Sequence, residues 1–142
     1  MSAIDTLTHQ HRHCDEGFAA CEAAVRQQDW EAARAALTVF CQDMEGHFTI
    51  EEQALFPAFE SASGQRMGPT RIMRMEHQDM RELMEDMQEA LLSQHADAFL
   101  GLNDTLLILM QQHNMKEENI LYPMCAELLP DMAALISQDC HA

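Results

Sequence analysis

The eleven residues HFTIEEQALFP, from His47 to Pro57, return as HNMKEENILYP, from His113 to Pro123, sixty-six positions later. The His, both Glu, the Leu and the Pro are kept, Phe becomes Tyr, and the letters between them drift. The offset is not confined to these stretches. Leu7, His11, Cys14, Phe18, Cys21 and Val25 follow a 4-3-4-3-4 spacing, and the same offset carries them onto Met73, His77, Met80, Met84, Met87 and Leu91. That spacing forms one inward stripe along a helix. A second pair of stripes runs through Phe40, Met44, His47, Glu51, Leu55 and Ala58, and through Leu106, Met110, His113, Glu117, Leu121 and Met124. The chain therefore reads as two copies of a helical hairpin, each too small to hide its apolar face alone, which must close one core together.

Punctuation sets the segments. Asp29 can cap a helix beginning at Trp30, SASGQRMGPT at 61–70 is a Gly/Ser/Pro linker, and a further break falls at 93–97. Helices are expected near 4–26, 30–60, 71–92 and 97–127, with Pro130 ending the last and a short helical turn in 131–137. Connections this short favour antiparallel neighbours. The expected fold is all-α: an antiparallel up-down-up-down four-helix bundle made of hairpins at about 4–60 and 71–127, in one domain over 1–142. Composition agrees, being rich in Ala, Leu, Met, Glu and Gln and poor in Val, Thr and Tyr. A chain of this length buries roughly 68–70% of its unfolded surface, so a core forms without staples.

Twenty-four acidic residues against eight basic ones give a formal charge of −16, which repels phosphate backbones and anionic headgroups. Nucleic acid and membrane surfaces are not expected partners. The start, MSAIDTLTHQHRH, lacks a basic stretch followed by an apolar one, and no run approaches a membrane span, so a cytoplasmic location is expected. The five Cys are odd in number and include no C-x-x-C pair, which argues against a disulfide framework or a zinc ribbon. Cys14, Cys21 and Cys41 read as small core fillers, and Cys140 as the accessible one.

Polar residues interrupt every stripe: His11, His47 with Glu51, His77, and His113 with Glu117. Taken singly, each reads as a hydrogen-bonded core histidine or an exposed i,i+4 pair. Together they place four imidazoles and two carboxylates in one core, where an unpaired ionised carboxylate costs several kcal/mol or more. All eight basic residues, Arg74, Arg81 and Lys116 among them, lie off the stripes. Metal cations are the economical compensation. Glu51 and Glu117 stand four residues after their His and share its face, whereas Glu52 and Glu118 are rotated roughly 100° further and should face elsewhere. The expected ligands are therefore His11, His47, Glu51, His77, His113 and Glu117, with the two Glu able to bridge two ions. Such a set fills about four of six octahedral positions per ion, leaving room for a bridging oxygen and an exogenous molecule. His9 and His13 form a competing i,i+4 pair, but only His11 lies on the stripe. Pro57 and Pro123 should free the carbonyls of Gln53 and Asn119 and bend or end their helices. Phe56 and Tyr122 read as core or rim aromatics, with the alternative that the Tyr122 hydroxyl reaches the site.

A His on the first helix, H47FTIE51, His77 and H113NMKE117 resemble the bacterial haemerythrin-like, or HHE cation-binding, family over essentially the whole chain. The resemblance implies a non-haem di-iron centre of two iron ions, oxo- or hydroxo-bridged, in an antiparallel four-helix bundle. Oxygen-carrying haemerythrins have HxxxH on the third helix and HxxxxD on the fourth. Here Arg81 follows His77 at the first of those spacings and Glu117 follows His113, so one imidazole is lost and oxygen carriage is put in doubt. The pattern is more similar to variants linked to nitric oxide, peroxide or iron–sulfur repair.

Two functions follow. One is a di-iron protein that binds or reduces O2, NO or peroxide with an unidentified redox partner; the other is an iron storage, delivery or sensing module without turnover. A ferritin-like carboxylate oxidase is disfavoured, because Met44, Arg74 and Met110 occupy the positions where its ExxH spacing needs Glu.

Overall fold

The computed structural model describes residues 2–139. The chain is all-helical, and no strand occurs among the described residues. Helix α1 (Ala3–Arg26) starts at a capping box in which Ser2 Oγ accepts from the Asp5 backbone N–H at 3.1 Å and Asp5 Oδ2 accepts from that of Ser2 at 3.2 Å. Asp29 caps α2 (Trp30–Ile50) as expected, its carboxylate accepting from the Ala32 N–H. A five-residue π turn, π1 (Glu51–Leu55), leads into α3 (Phe56–Ser63). The second half repeats the order: α4 (Pro69–Leu92), α5 (Ala96–Lys116), π2 (Glu117–Leu121) and α6 (Tyr122–Leu128), followed by α7 (Met132–Asp139). Helix α1 packs along α2 and α4 along α5, while α1 on α5 and α2 on α4 close the ring.

The connection between the halves is shorter than the 61–70 expected. Gly64, at φ 73°, stops α3 in the left-handed conformation that glycine tolerates, and Pro69, with φ preset for a first turn, starts α4. Within each half the turn is made by a glutamine in the same rare conformation, Gln28 at φ 56° and Gln94 at φ 52°. A non-glycine residue there costs about 1–2 kcal/mol, partly offset by the extra chain entropy that glycine loses on folding. Gln28→Gly and Gln94→Gly are each expected to stabilise the protein by about 0.5–1 kcal/mol in denaturant titrations.

The prolines neither end nor simply bend their helices. Pro57 and Pro123 have no N–H to offer the carbonyls of Gln53 and Asn119, and the chain widens just before them, so that the N–H of Phe56 reaches Glu51 and that of Tyr122 reaches Glu117. Each wide turn absorbs one extra residue and slips the inward register by one. The expected stripe positions Ala58 and Met124 are only half-buried, and Phe59 and Cys125 take their places in the core. The same slip turns Phe56 and Tyr122 fully inward.

The core has two apolar parts. One gathers Phe18, Phe40, Phe48, Met84, Phe99 and Leu106, and the other gathers Leu7, Leu55, Phe56, Phe59, Tyr122 and Ile136, with α7 packed on it. In each long helix the stripe passes from one part to the other across its histidine. Among the described residues eight polar side chains are buried: the six expected ligands, plus Thr70 and Asn103, which donate to Glu60 Oε2 at 2.7 Å and to Glu22 Oε1 at 2.6 Å. The core cysteines are Cys14, Cys21 and Cys125, whose thiols burial pushes up to about 12, while Cys41 is half-buried. Cys140 lies outside the described residues. No helix among the described residues is long and apolar enough to cross a membrane.

Candidate metal centre

The polar belt between the two apolar parts draws one side chain from each stripe position that the repeat marked. His11 comes from α1, His47 from α2, His77 from α4 and His113 from α5, while Glu51 and Glu117 open the two π turns. All six converge. Glu117 Oε1 stands 3.0 Å from His11 Nε2 and 3.9 Å from His47 Nε2, and Glu117 Oε2 stands 3.3 Å from His113 Nε2. Glu51 Oε1 stands 3.0 Å from His77 Nε2 and 3.5 Å from His47 Nε2. Two overlapping donor sets result, one of Glu51, His77, His113 and Glu117, the other of His11, His47 and Glu117. Glu117 belongs to both.

Every imidazole is pinned from behind through its other nitrogen. His11 Nδ1–H donates to Glu118 Oε2 at 2.7 Å, His77 Nδ1–H to Glu52 Oε2 at 2.6 Å, His113 Nδ1–H to Glu76 Oε1 at 2.8 Å, and His47 Nδ1–H to Gln10 Oε1 at 2.6 Å. These bonds hold each ring with Nε2 facing the belt, so that loss of the Nε2 proton presents a lone pair to a metal, as a metal-ligating histidine requires. The four partners obey the sixty-six-residue offset, Glu52 with Glu118 and Gln10 with Glu76. Sequence reasoning missed all four. Glu52 and Glu118 do leave the stripe, as expected, but they leave it to reach a histidine on a neighbouring helix. The doubled Glu in both copies of the motif was the available signal.

Arg81, which stands where a second third-helix imidazole would, points away from the belt and organises this outer layer. Its guanidinium donates to both oxygens of Glu52 at 3.0 Å and to those of Glu45 at 2.8 and 2.9 Å, and it lies 5.1 Å from the centroid of the Phe48 ring. Phe48 stacks on His77 with centroids 3.9 Å apart. Burial would raise the Glu52 carboxyl, but the bonds from His77 and Arg81 outweigh it and hold Glu52 at about 2, so it stays an anionic acceptor. Glu52→Ala is expected to lower metal affinity by about 10–100-fold, and Glu52→Gln by less, because an amide oxygen already serves His47. Competition against a chromophoric chelator measures both.

The charges ask for cations. Burial would lower the buried imidazoles, yet Glu51 and Glu117 outweigh it and push His47 up to about 10, while Glu117 leads in raising His113 to about 9. Burial would likewise raise Glu117, but hydrogen bonding and the facing imidazoles hold it well below the usual carboxylate range. Without metal, protons on the imidazoles do the work of positive charge. They do it incompletely: Glu51 Oε1, His77 Nε2, His113 Nε2 and Glu117 Oε2 are buried with no hydrogen-bond partner. Although His77 and Glu51 approach to 3.0 Å, the contact lacks hydrogen-bond alignment. Those four atoms come one each from the four residues of the first donor set. The mixed imidazole and carboxylate chemistry and the unpartnered atoms both fit a divalent cation.

Tyr122 also enters the belt. Its hydroxyl donates to Glu51 Oε2 at 2.7 Å and lies 3.0 Å from Glu117 Oε1. Of the two readings open in the sequence, the one that brought this hydroxyl to the site is what the fold shows, and the cause is the register slip in π2. Burial, then the charges of Glu117 and Glu51, push the phenol well above its usual range. His9 and His13 are not in the belt. They line a groove of about 630 Å³ between α1 and α2, where His13 Nε2 meets Asp43 Oδ2 at 2.9 Å.

The model of the haemerythrin HHE cation-binding domain matches residues 2–125. The chain belongs to this family. Among curated proteins, this HHE domain is similar to the iron-sulfur cluster repair protein YtfE of Enterobacter sp. (strain 638), at 34% identity over 97 residues, covering 61% of this chain and 44% of the relative. YtfE of Citrobacter koseri is 35% identical over 98 residues, with the same coverage, and that of Escherichia coli O81 is 34% identical over 98. The HHE domain thus spans less than half the length of these relatives. No solved structure matches it significantly.

Proposed function

We propose that this chain is a non-haem di-iron protein that binds or reduces O2, NO or peroxide, with His11, His47, Glu51, His77, His113 and Glu117 as its iron ligands. One observation carries the reading: the four buried, unpartnered donor atoms of Glu51, His77, His113 and Glu117, beside a second donor set sharing Glu117. Bound iron would supply electrophilic, redox-active positions at which a small molecule can be held. The protein's own contribution is positional. The Nδ1 partners hold the four Nε2 atoms in place, the π turns deliver Glu51 and Glu117 to the same level, and the two apolar parts keep bulk water away. Reduction would draw electrons from a separate redox partner.

The reading includes an up-down-up-down four-helix arrangement in one domain, supported by the four helix pairings and the short turns at Gln28 and Gln94. It also includes a cytoplasmic setting, supported by the unpaired thiols of Cys14, Cys21, Cys41 and Cys125. A surface with a charge of −16 speaks against nucleic acid or anionic lipid as partners.

The test is metal analysis of the purified protein, with its visible spectrum before and after O2 and NO. Two irons per chain and a spectral response support the reading, and an iron-loaded sample that ignores both gases counts against it. The likeness to iron-sulfur cluster repair proteins favours a second reading, iron delivery without turnover, in which iron is readily surrendered to a chelator and gas reactivity is absent.

A further inference from the structure

The two donor sets are unequal. The set of Glu51, His77, His113 and Glu117 offers four residues, whereas His11, His47 and Glu117 offer three. The shortfall lies beside Tyr122. Its hydroxyl oxygen is 3.2 Å from His11 Nε2, 3.3 Å from His47 Nε2 and 3.0 Å from Glu117 Oε1. Those three atoms are themselves 3.0 to 3.9 Å apart. Metal bonds of roughly 2.1 Å set neighbouring ligand atoms about 3.0 Å apart in an octahedron and about 3.4 Å apart in a tetrahedron. Five of the six separations among these four atoms, 3.0 to 3.3 Å, are those of donors around one cation, and the sixth, from His47 Nε2 to Glu117 Oε1 at 3.9 Å, has to close when the ion binds.

The internal repeat supplies a control. Phe56 occupies the matching position after π1, equally buried, with its ring 5.7 Å from that of His77 and the Arg74 guanidinium 5.4 Å from its own centroid. A residue needed only to fill this place could be Phe in both halves. The hydroxyl appears in one half alone, on the side of the poorer donor set, and its polar contacts all fall within the belt.

We propose that Tyr122 is a seventh metal ligand, binding through its phenolic oxygen the ion held by His11, His47 and Glu117 and not the other. The proposal rests on the di-iron reading and extends it. As the cation enters, the phenol O–H bond breaks, the proton leaves to solvent and an oxygen–metal bond forms. The hydrogen bonds to Glu51 Oε2 and Glu117 Oε1 end, which frees both carboxylates for the ions. The two positions then differ in kind. Tyr122 brings its set to four residues, level with the other, but only that set carries a phenolate oxygen.

The test uses the ferric protein. A phenolate on ferric iron gives a visible charge-transfer band, and Raman excitation into that band enhances the ring modes of a metal-bound tyrosinate. We expect those modes in the wild-type protein and their complete loss in Tyr122→Phe, with iron content unchanged or reduced by at most one ion per chain. A buried phenol serving only as a hydrogen-bond donor would leave no such signature. An iron-loaded wild type without tyrosinate modes overturns the proposal while leaving the di-iron reading intact, and it does so even if the variant fails to fold. A wild type that takes up no iron overturns both, and metal analysis of the same sample separates the two failures.

Discussion

Glu117→Gln is expected to reduce bound metal, on the di-iron reading from two ions per chain to one or none, whereas Glu51→Gln is expected to leave one. The difference follows from membership. Glu117 faces His11 and His47 with one oxygen and His113 with the other, and it appears in both donor sets. Glu51 appears only in the set with His77 and His113, so its loss leaves His11, His47 and Glu117 in place. Gln keeps the volume of Glu, so neither change opens a cavity; each removes a charge and one metal-binding oxygen. The loss at the affected positions should exceed the roughly 10–100-fold typical of an outer hydrogen-bond partner. Metal analysis after exhaustive dialysis, with circular dichroism to verify helix content, reads the outcome. A Glu117→Gln protein that retains two ions would show that the convergence of the six side chains does not hold metal.

The six converging residues were legible in the sequence because a helix converts a spacing of three and four into a face, and the repeat says which interruptions of that face coincide. His47 and Glu51, or His113 and Glu117, need no knowledge of any other helix to be placed on one side. The partners behind them are a different matter. Glu52 reaches His77 on α4, Glu118 reaches His11 on α1, and Glu76 reaches His113 on α5. Those contacts depend on how far apart two helices lie and how they are rotated, which periodicity within one helix does not encode. The π turns were hidden for a related reason. Helical spacing assumes a constant number of residues per turn, and one extra residue moved the stripe from Ala58 to Phe59 and from Met124 to Cys125. The prolines marked the places, but a missing N–H is compatible with a kink, a stop or a widened turn, and packing decided among them. Tyr122 depended on that decision, since without the slip it would not face Glu51.

Metal-dependent stabilisation is expected to grow as pH rises from about 6 to 9, because the metal-free and metal-bound forms answer to protons in opposite senses. In the metal-free protein His47 is raised from 6.5 to about 10 and His113 to about 9. A raised histidine contributes stability that is complete below the unfolded value near 6.5 and is lost as pH climbs through the folded value. Between roughly pH 6.5 and 10, then, the metal-free form surrenders the protons that balance Glu51 and Glu117, and its melting temperature should fall. Glu117, held low, sets the other limit: its contribution is present above the usual carboxylate value of 4.5 and is lost in stronger acid. Metal requires the same imidazoles neutral, so each ion displaces protons and binds more tightly as pH rises. At a free concentration of 100 times Kd one ion adds about 2.7 kcal/mol, and near pH 6 proton competition should take much of that away. Calorimetric scans of both forms at pH 6, 7.5 and 9 make the comparison. If the two melting temperatures run parallel across that range, protons and metal do not share these side chains, and the charge argument for a cation at the belt fails.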